Sequence, residues 1–430
     1  MASLFSEHNP NLRKYMVNRS DCLWMMLVFL LTRLPAGAQD QPGESDLSDT
    51  NISYLYDLQS PIAGETRIAM GQDEATVFFK LDVRSQNLEV GEINYVVKES
   101  YADEEILQSG IIGSDDLIRE DRQHNIYRFT VPMQDNSNYL FIFVNSQVRS
   151  TENVYRFDIS LNSELNFSLS DLVLMESDAD VPIFTNFLPR NVPFRLVSMY
   201  QDVSQAFIYY YSHEFEPNPP PMANAGSQVQ KSLEIDSIFP VNLNETLSFD
   251  QEGLYFTQTD TTSLSGISFR IEEQYYPRFV TANELIRPIR YISTSEEMDN
   301  LLSDEQAKLA LDRYWVKATR SRERAKDVIR SYYRQVTKAN VLFTTYKEGW
   351  KTSQGMVYLL YGAPNIVYRG DGEERWIYSQ ESNLLPDMSF TFVKVRNIFS
   401  TRHYNLLPDE EYGKFWYRNI DLWRKGRKQL

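Results

Sequence analysis

The sequence predicts a mixed, mainly β fold that ends in an α+β module. Three observations predict it. Short apolar or alternating runs separated by turn residues fill positions 66 to 280. Aromatic residues, which suit a pleated and half-buried surface, make up 13% of the chain. After position 280, capping-box spacings and a 3.6-residue apolar period take over. The chain's 430 residues leave room for several domains of about 100 to 200 residues each.

The N-terminus points to export. Arg13, Lys14 and Arg19 precede the apolar run CLWMMLVFLL, and Ala36-Gly37-Ala38 supplies the small residues a signal peptidase requires. Residues 1–38 are expected to be a signal peptide cleaved near Ala38-Gln39, because the run falls short of the roughly 20 residues that span a bilayer. The single cysteine, Cys22, lies in that segment. The mature chain would therefore have no thiol for a disulfide, a nucleophile or a metal site. Ser20-Asp21 also makes Cys22 a poor lipid acceptor. The expected location is the periplasm or the outer-membrane surface.

Residues 39–163 read as a first sandwich. TRIAM, ATVFFKLDV, EINYVVKES, NIYRFTVPM, NYLFIFVNS and VYRFDISLN are strands at the spacing of an immunoglobulin-like domain. Tyr139, Phe141 and Phe143 alternate with Leu140, Ile142 and Val144, so this strand is apolar on both faces and buried on both. Residues 164–280 read as a second immunoglobulin-like sandwich, with LSDLVLME, PFRLVSMY, QAFIYYYSH, SQVQKSLEI, LSFD, GLYFTQT and LSGISFRIEEQ as strands. Between them, EPNPPPMANAG is a proline-rich loop that a central sheet would reject. Phe207, Tyr209 and Tyr211 share one strand face, which suits either a core or stacking on sugar rings.

Residues 281–430 change in texture. Thr281 with Glu284, Thr294 with Glu297, and Ser303 with Gln306 each fit the capping box. Leu311, Trp315 and Ala318 share one helical face, and Ala325, Val328, Tyr332, Val336, Ala339 and Phe343 continue the period. The opposite face carries Arg320, Arg322, Arg324, Lys326, Arg330 and Arg334, which are expected to be exposed. GMVYLLYG, bracketed by glycines and Pro364, reads as a strand buried on both faces. RWIYSQ and MSFTFVKV are further strands, and Asp409 opens a last helix with Phe415, Trp416, Ile420 and Trp423.

Several of these elements together carry a family likeness. Tyr314-Trp315, Tyr332-Tyr333-Arg334, Gly349-Trp350-Lys-Thr352, Gly355-Met-Val-Tyr358, Tyr361-Gly362-Ala-Pro364 and Trp376-Ile-Tyr378 resemble the GWxTD-domain proteins of the Bacteroidetes cell envelope over about residues 305–425. The resemblance implies no reaction and no cofactor. Ser353 stands where the family has Asp, and Asn365 stands where an Asp commonly follows the turn, so two carboxylates are replaced by neutral turn-formers. Gly349, Trp350, Thr352, Gly355, Tyr361, Gly362, Pro364, Trp376, Trp416 and Trp423 are the candidate interaction or structural residues.

Little else suggests chemistry. His124, His213 and His403 lie far apart with no metal-ligand spacing, and no Ser sits on a Gly-x-Ser-x-Gly elbow. Asp371, Glu373 and Glu374 in RGDGEERW, with His403, come nearest to an acid–base set, and a solvated hairpin turn accounts for them as well. Residues 311–430 hold 22 Lys+Arg against 13 Asp+Glu, whereas residues 39–310 hold 17 against 44. A basic module on an acidic body suits contact with an anionic surface or an acidic partner. An acidic, exported chain with no nucleic-acid motif is not expected to bind DNA or RNA.

The expected function is that of a non-enzymatic envelope interaction or scaffold protein, without cofactor or metal, that docks on envelope proteins through its C-terminal domain. The alternatives are an envelope enzyme or enzyme-associated factor acting on peptidoglycan or peptide, and a carbohydrate-binding protein.

Overall fold

The computed structural model describes residues 46–122, 124–148, 150–162, 169–222, 233–379 and 387–428. The expected signal peptide, Cys22 and most of SQVQKSLEI lie outside them. No helix among the described residues is long and apolar enough to cross a membrane.

Eight strands build the first module. β1 (Ile62–Met70), β2 (Glu74–Val83), β6 (His124–Pro132) and β5 (Leu117–Glu120) form one antiparallel sheet in the order β1-β2-β6-β5. β4 (Gln108–Ile112), β3 (Glu89–Lys98), β7 (Tyr139–Val148) and β8 (Thr151–Ser160) form the other in the order β4-β3-β7-β8. Val77, Phe79 and Leu81 meet Tyr95, Leu140 and Ile142 in one core between the sheets. This order is compatible with the immunoglobulin-like expectation. β4 and β5 escape the sequence pattern because they are short edge strands, QSGII and LIRE, in which apolar and polar residues come in blocks and do not alternate. β7 is buried on both faces as expected, since Tyr139, Phe141 and Phe143 form a second cluster with Leu47 and Tyr101.

The second module has a five-stranded sheet, β10-β16-β15-β12-β13, facing a three-stranded one, β14-β11-β9. Their ranges are β9 (Leu172–Glu176), β10 (Phe187–Pro189), β11 (Phe194–Ser198), β12 (Gln205–Tyr211), β13 (Ser237–Asn242), β14 (Thr246–Leu247), β15 (Gly253–Gln258) and β16 (Ile267–Glu272). Pro240 lies in β13, an edge strand, where a missing amide leaves no ladder bond unmade. Phe194, Ile208, Tyr255 and Phe269 fill the core.

Among the described residues the C-terminal module has six helices, α1 (Ala282–Ile286), α2 (Ser295–Ser303), α3 (Ala307–Thr319), α4 (Arg322–Phe343), α5 (Ser353–Tyr361) and α6 (Tyr412–Arg424). They pack on an antiparallel sheet of β17 (Ile366–Gly370), β18 (Glu373–Tyr378), β19 (Met388–Lys394) and β20 (Tyr404–Leu406). Thr281 and Thr294 cap α1 and α2 through complete capping boxes. The third expected box does not form. Ser303 is the last residue of α2, where its hydroxyl donates to Asp299 O, and α3 starts after Gln306 with no side-chain cap. The apolar faces of α3 and α4 are buried as their period requires.

One larger expectation is overturned. GMVYLLYG is not a strand: Ser353–Tyr361 is α5, capped by Thr352, whose side chain accepts from Gly355 N at 3.0 Å. All nine residues of α5 are buried. A helix buried all round has no polar face, so its sequence carries no 3.6-residue period to distinguish it from a buried strand.

Candidate functional site

The GWKTS segment is a close-packed corner between α4 and α5. Gly349–Lys351 forms a 3-10 turn whose backbone is held by α4 side chains. Asn340 Oδ1 accepts from Trp350 N at 3.1 Å, and Thr344 Oγ1 accepts from Gly349 N at 3.2 Å. Thr352 Oγ1 donates back to Gly349 O at 2.8 Å. The glycines are steric necessities, because a Cβ on Gly349 would stand 2.0 Å from Ala339 O and one on Gly355 would stand 1.8 Å from Gly349 O.

The motif's large residues are buried with them. Trp350 is 1% exposed and meets Tyr291 edge-on at 6.0 Å. Trp376, Trp416 and Trp423 lie in the same core, and Trp423 Nε1 donates to Leu360 O at 3.0 Å. Tyr361 packs on Phe390 and Trp416. Gly362 takes a φ of +84° to end α5, and its carbonyl accepts from Tyr378 OH at 2.9 Å, with Pro364 buried beside it. None of these side chains presents an anchor to a partner. Of the two positions that lack the family's Asp, Asn365 Oδ1 caps Ser379 N at 2.9 Å, whereas the Ser353 hydroxyl accepts from the Asn218 amide of the proline-rich loop. A carboxylate could fill either role as an acceptor.

The second constellation joins the modules. Arg369 on β17 donates to Asp158 Oδ2 of β8 at 2.8 Å, to Glu374 Oε2 at 2.8 Å and to Tyr56 OH at 2.8 Å. Glu374 Oε1 also accepts from Tyr56 OH at 2.5 Å, Trp376 Nε1 at 2.5 Å and Gln354 Nε2 at 3.2 Å. Tyr101 OH donates to Asp158 as well. Burial pushes the Asp158 carboxyl up, but Arg369 and Arg156 outweigh it and hold it at about 2. Tyr56 lies within the stretch expected as the first sandwich, yet it stacks on Phe343 of α4 at 5.6 Å, and Ile52 N donates to Val367 O at 2.9 Å. The segment around residues 51–56 thus completes the C-terminal core.

The residues nearest to an acid–base set do not come together, and Glu374 is not in a solvated turn either. Glu374 is fully buried in that network, Glu373 is exposed, and Asp371 accepts from Tyr101 N at 3.2 Å. His403 is buried beside Tyr346, whose hydroxyl lies 3.4 Å from Nε2, and burial with the nearby Lys347 ammonium pushes its imidazole down to about 3. No group of three His, Cys, Asp or Glu among the described residues could hold a metal ion. The aromatic row of β12 is covered in part, with Tyr211 meeting Phe399 edge-on at 5.5 Å. The six basic residues from Arg320 to Arg334 are all exposed, as expected. Among the described residues only Arg330 makes an ion pair, with Asp327 at 3.5 Å.

Sequence reasoning missed the junction residues. Asp158 and Arg369 are 211 positions apart and Tyr56 and Glu374 are 318 apart, so no local spacing announces them. The only signal was a lone ionisable residue beside apolar ones in a strand, Arg369 in IVYRG and Asp158 in FDIS.

Fold and site together define a multi-module β protein whose C-terminal α+β domain is built around a glycine-tryptophan corner. A family model for the GWxTD domain matches residues 253–425, and the chain is a GWxTD domain-containing protein. The match starts at Gly253, so it takes in β15 and β16, two strands of the second module's larger sheet. No curated protein matches the chain.

Proposed function

We propose that this chain is a non-catalytic interaction protein, exported to a cell envelope of the Bacteroidetes kind its sequence resembles, which docks on an acidic envelope partner through the basic face of α4. The observation that carries this reading is the contrast within one helix. Its apolar side is consumed by the core, while Arg322, Arg324, Lys326 and Arg334 stand exposed with no ion pair among the described residues. Arg320, held at a φ of +56° after α3, extends the same patch. Glu323 and Asp327 are exposed among these residues, so the face carries a net basic excess and not one sign alone; such an excess speeds association with an opposite charge and is screened by salt. The tryptophans are buried and so offer no interface anchor, which moves the reading from them to these charges. The scattered fates of Glu373, Glu374 and His403 favour this reading over an acid–base enzyme.

The test is affinity purification of the tagged full chain after crosslinking in host cells, beside the variant Arg322→Glu, Arg324→Glu, Arg330→Glu, Arg334→Glu. A defined set of envelope proteins that disappears with the charge reversal supports the reading. The same set recovered from both chains sinks it. Deleting residues 305–430 would be a poorer comparison, since Tyr56 and Ile52 belong to that core.

A further inference from the structure

A cavity of about 580 Å³ lies where the three modules meet. Its walls come from β1 and β8 of the first module, from β9, β10 and β16 of the second, and from α4, β17 and the residues between β19 and β20 of the third. That volume is in the range that holds a small organic ligand.

The charge of the walls is the unexpected feature. Arg67, Arg84, Arg369, Lys394 and Arg402 line the cavity against two carboxylates, Glu65 and Asp158, in a chain with 59 acidic and 43 basic residues. Both carboxylates are already engaged. Glu65 pairs with Lys80 at 3.0 Å, and Asp158 with Arg369 at 2.8 Å. Arg67 is fixed by neutral acceptors, the carbonyls of Ile183, Thr66 and Phe184 and Asn186 Oδ1. Its hydrogen bonds are thus all to neutral groups, and Glu65 is the opposite charge that acts on it.

Lys394 and Arg402 are the groups free to meet a ligand. Lys394 ends β19 opposite Tyr404, and among the described residues its ammonium has no hydrogen-bond or ion-pair partner. Arg402 makes one long contact, 3.4 Å to Thr66 Oγ1. Burial is the largest influence lowering both the Lys394 ammonium and the Arg67 guanidinium; Arg402 adds to it on each and Arg369 adds to it on Lys394, while Asp158 and Glu65 act in the opposite direction. Mutually repelling, partly desolvated cations around a void are what an anion would relieve. The second module supplies the opposite character, with Leu174, Ile183 and Phe269 on the wall and Leu342 of α4 beside them.

We infer that the junction cavity binds a small organic anion, with its carboxylate or phosphate head on Lys394 and Arg402 and its apolar body against Leu174, Ile183 and Phe269. This site is separate from the basic face of α4 and does not depend on the docking reading.

Calorimetric titration of the full chain at low salt with hexyl phosphate, hexanoate, inorganic phosphate and 1-hexanol tests it, beside Lys394→Gln, Arg402→Gln and the surface control Lys308→Gln. The expected result is one saturable site for hexyl phosphate or hexanoate, weakened about tenfold or more in Lys394→Gln and Arg402→Gln and unchanged in Lys308→Gln. Whichever head group binds more tightly identifies the ligand as a phosphate or a carboxylate. Inorganic phosphate and hexanol should each bind at least about tenfold more weakly than the better of the two. Absence of saturable binding by both charged amphiphiles up to about 10 mM overturns the proposal. So does equal binding by all the variants, or by inorganic phosphate alone. If Lys394→Gln fails to fold, Arg402→Gln, an exposed change, still decides the matter.

Discussion

Arg369 Nη1 lies 2.8 Å from Asp158 Oδ2, and this buried contact ties the last strand of the first sandwich to the first strand of the C-terminal sheet. The same guanidinium also holds Glu374 and Tyr56. One side chain therefore pairs with two buried carboxylates on two modules, with Arg156 adding to its hold on Asp158.

Replacing Arg369 with Met should cost about 3 to 5 kcal/mol in urea unfolding, because Glu374 is left buried without an ion pair among the described residues and Asp158 keeps only Arg156, at 3.8 Å. The sign with pH follows from Asp158. Its carboxyl sits at about 2 in the folded chain and at the ordinary 3.8 when unfolded, so its contribution is full above about pH 4 and is lost as pH falls through 2. A loss below about 1 kcal/mol in the variant would show that the junction does not depend on this pair.

Gly355→Ala should be far more damaging than an ordinary helix substitution, where alanine is the better former. The new Cβ would stand 1.8 Å from Gly349 O, a contact that requires the 3-10 turn to leave α4. Expected is a loss above about 3 kcal/mol or failure to fold, measured by thermal unfolding or soluble yield. A stable Gly355→Ala chain would contradict the corner geometry.

His403 should make the chain sensitive to mild acid. Its imidazole is held at about 3 when folded against 6.5 when unfolded, so the unfolded chain takes a proton that the folded chain refuses. Stability is unaffected above pH 6.5 and falls by about 1.4 kcal/mol per pH unit below it, roughly 2 to 3 kcal/mol by pH 4.5. Unfolding curves of His403→Gln should lack that part of the slope. Identical pH profiles for the two chains would contradict the burial of this ring.

Lys394→Met should stabilise the unliganded chain, by about 1 to 3 kcal/mol at neutral pH. Burial, with Arg369 and Arg402 adding to it, pushes the ammonium down to about 8 from 10.5, so keeping it charged costs folding free energy below pH 8. The wild type should therefore gain stability between pH 8 and 10.5, and the variant should not. Lower stability of Lys394→Met at pH 7 would reveal a native partner for the ammonium.

Much of this architecture was legible because local rules and burial agreed. The six long strands of the first module alternate or are wholly apolar, and Thr281 and Thr294 sit three residues before Glu284 and Glu297, where the capping box needs them. Ser303 matched the same spacing and failed, because α2 runs on to that residue. The α5 segment failed for the opposite reason: burial on every side erased its period. Gly355, which brackets the segment in the sequence, lies inside α5 instead, where a Cβ would meet Gly349 O. Arg369, Asp158, Tyr56 and Lys394 could not be grouped from sequence, since only tertiary packing brings them to one place.

The most direct test of the docking account puts a photoreactive amino acid at Lys326 on the basic face, and separately at Val154, an exposed position of the first sandwich, in the full chain expressed in host cells. The account predicts a discrete adduct with an acidic envelope protein from position 326 that is absent from position 154 and lost when Arg322, Arg330 and Arg334 are changed to Glu. An adduct from position 154 alone, or one from position 326 that survives the charge reversal, would contradict it.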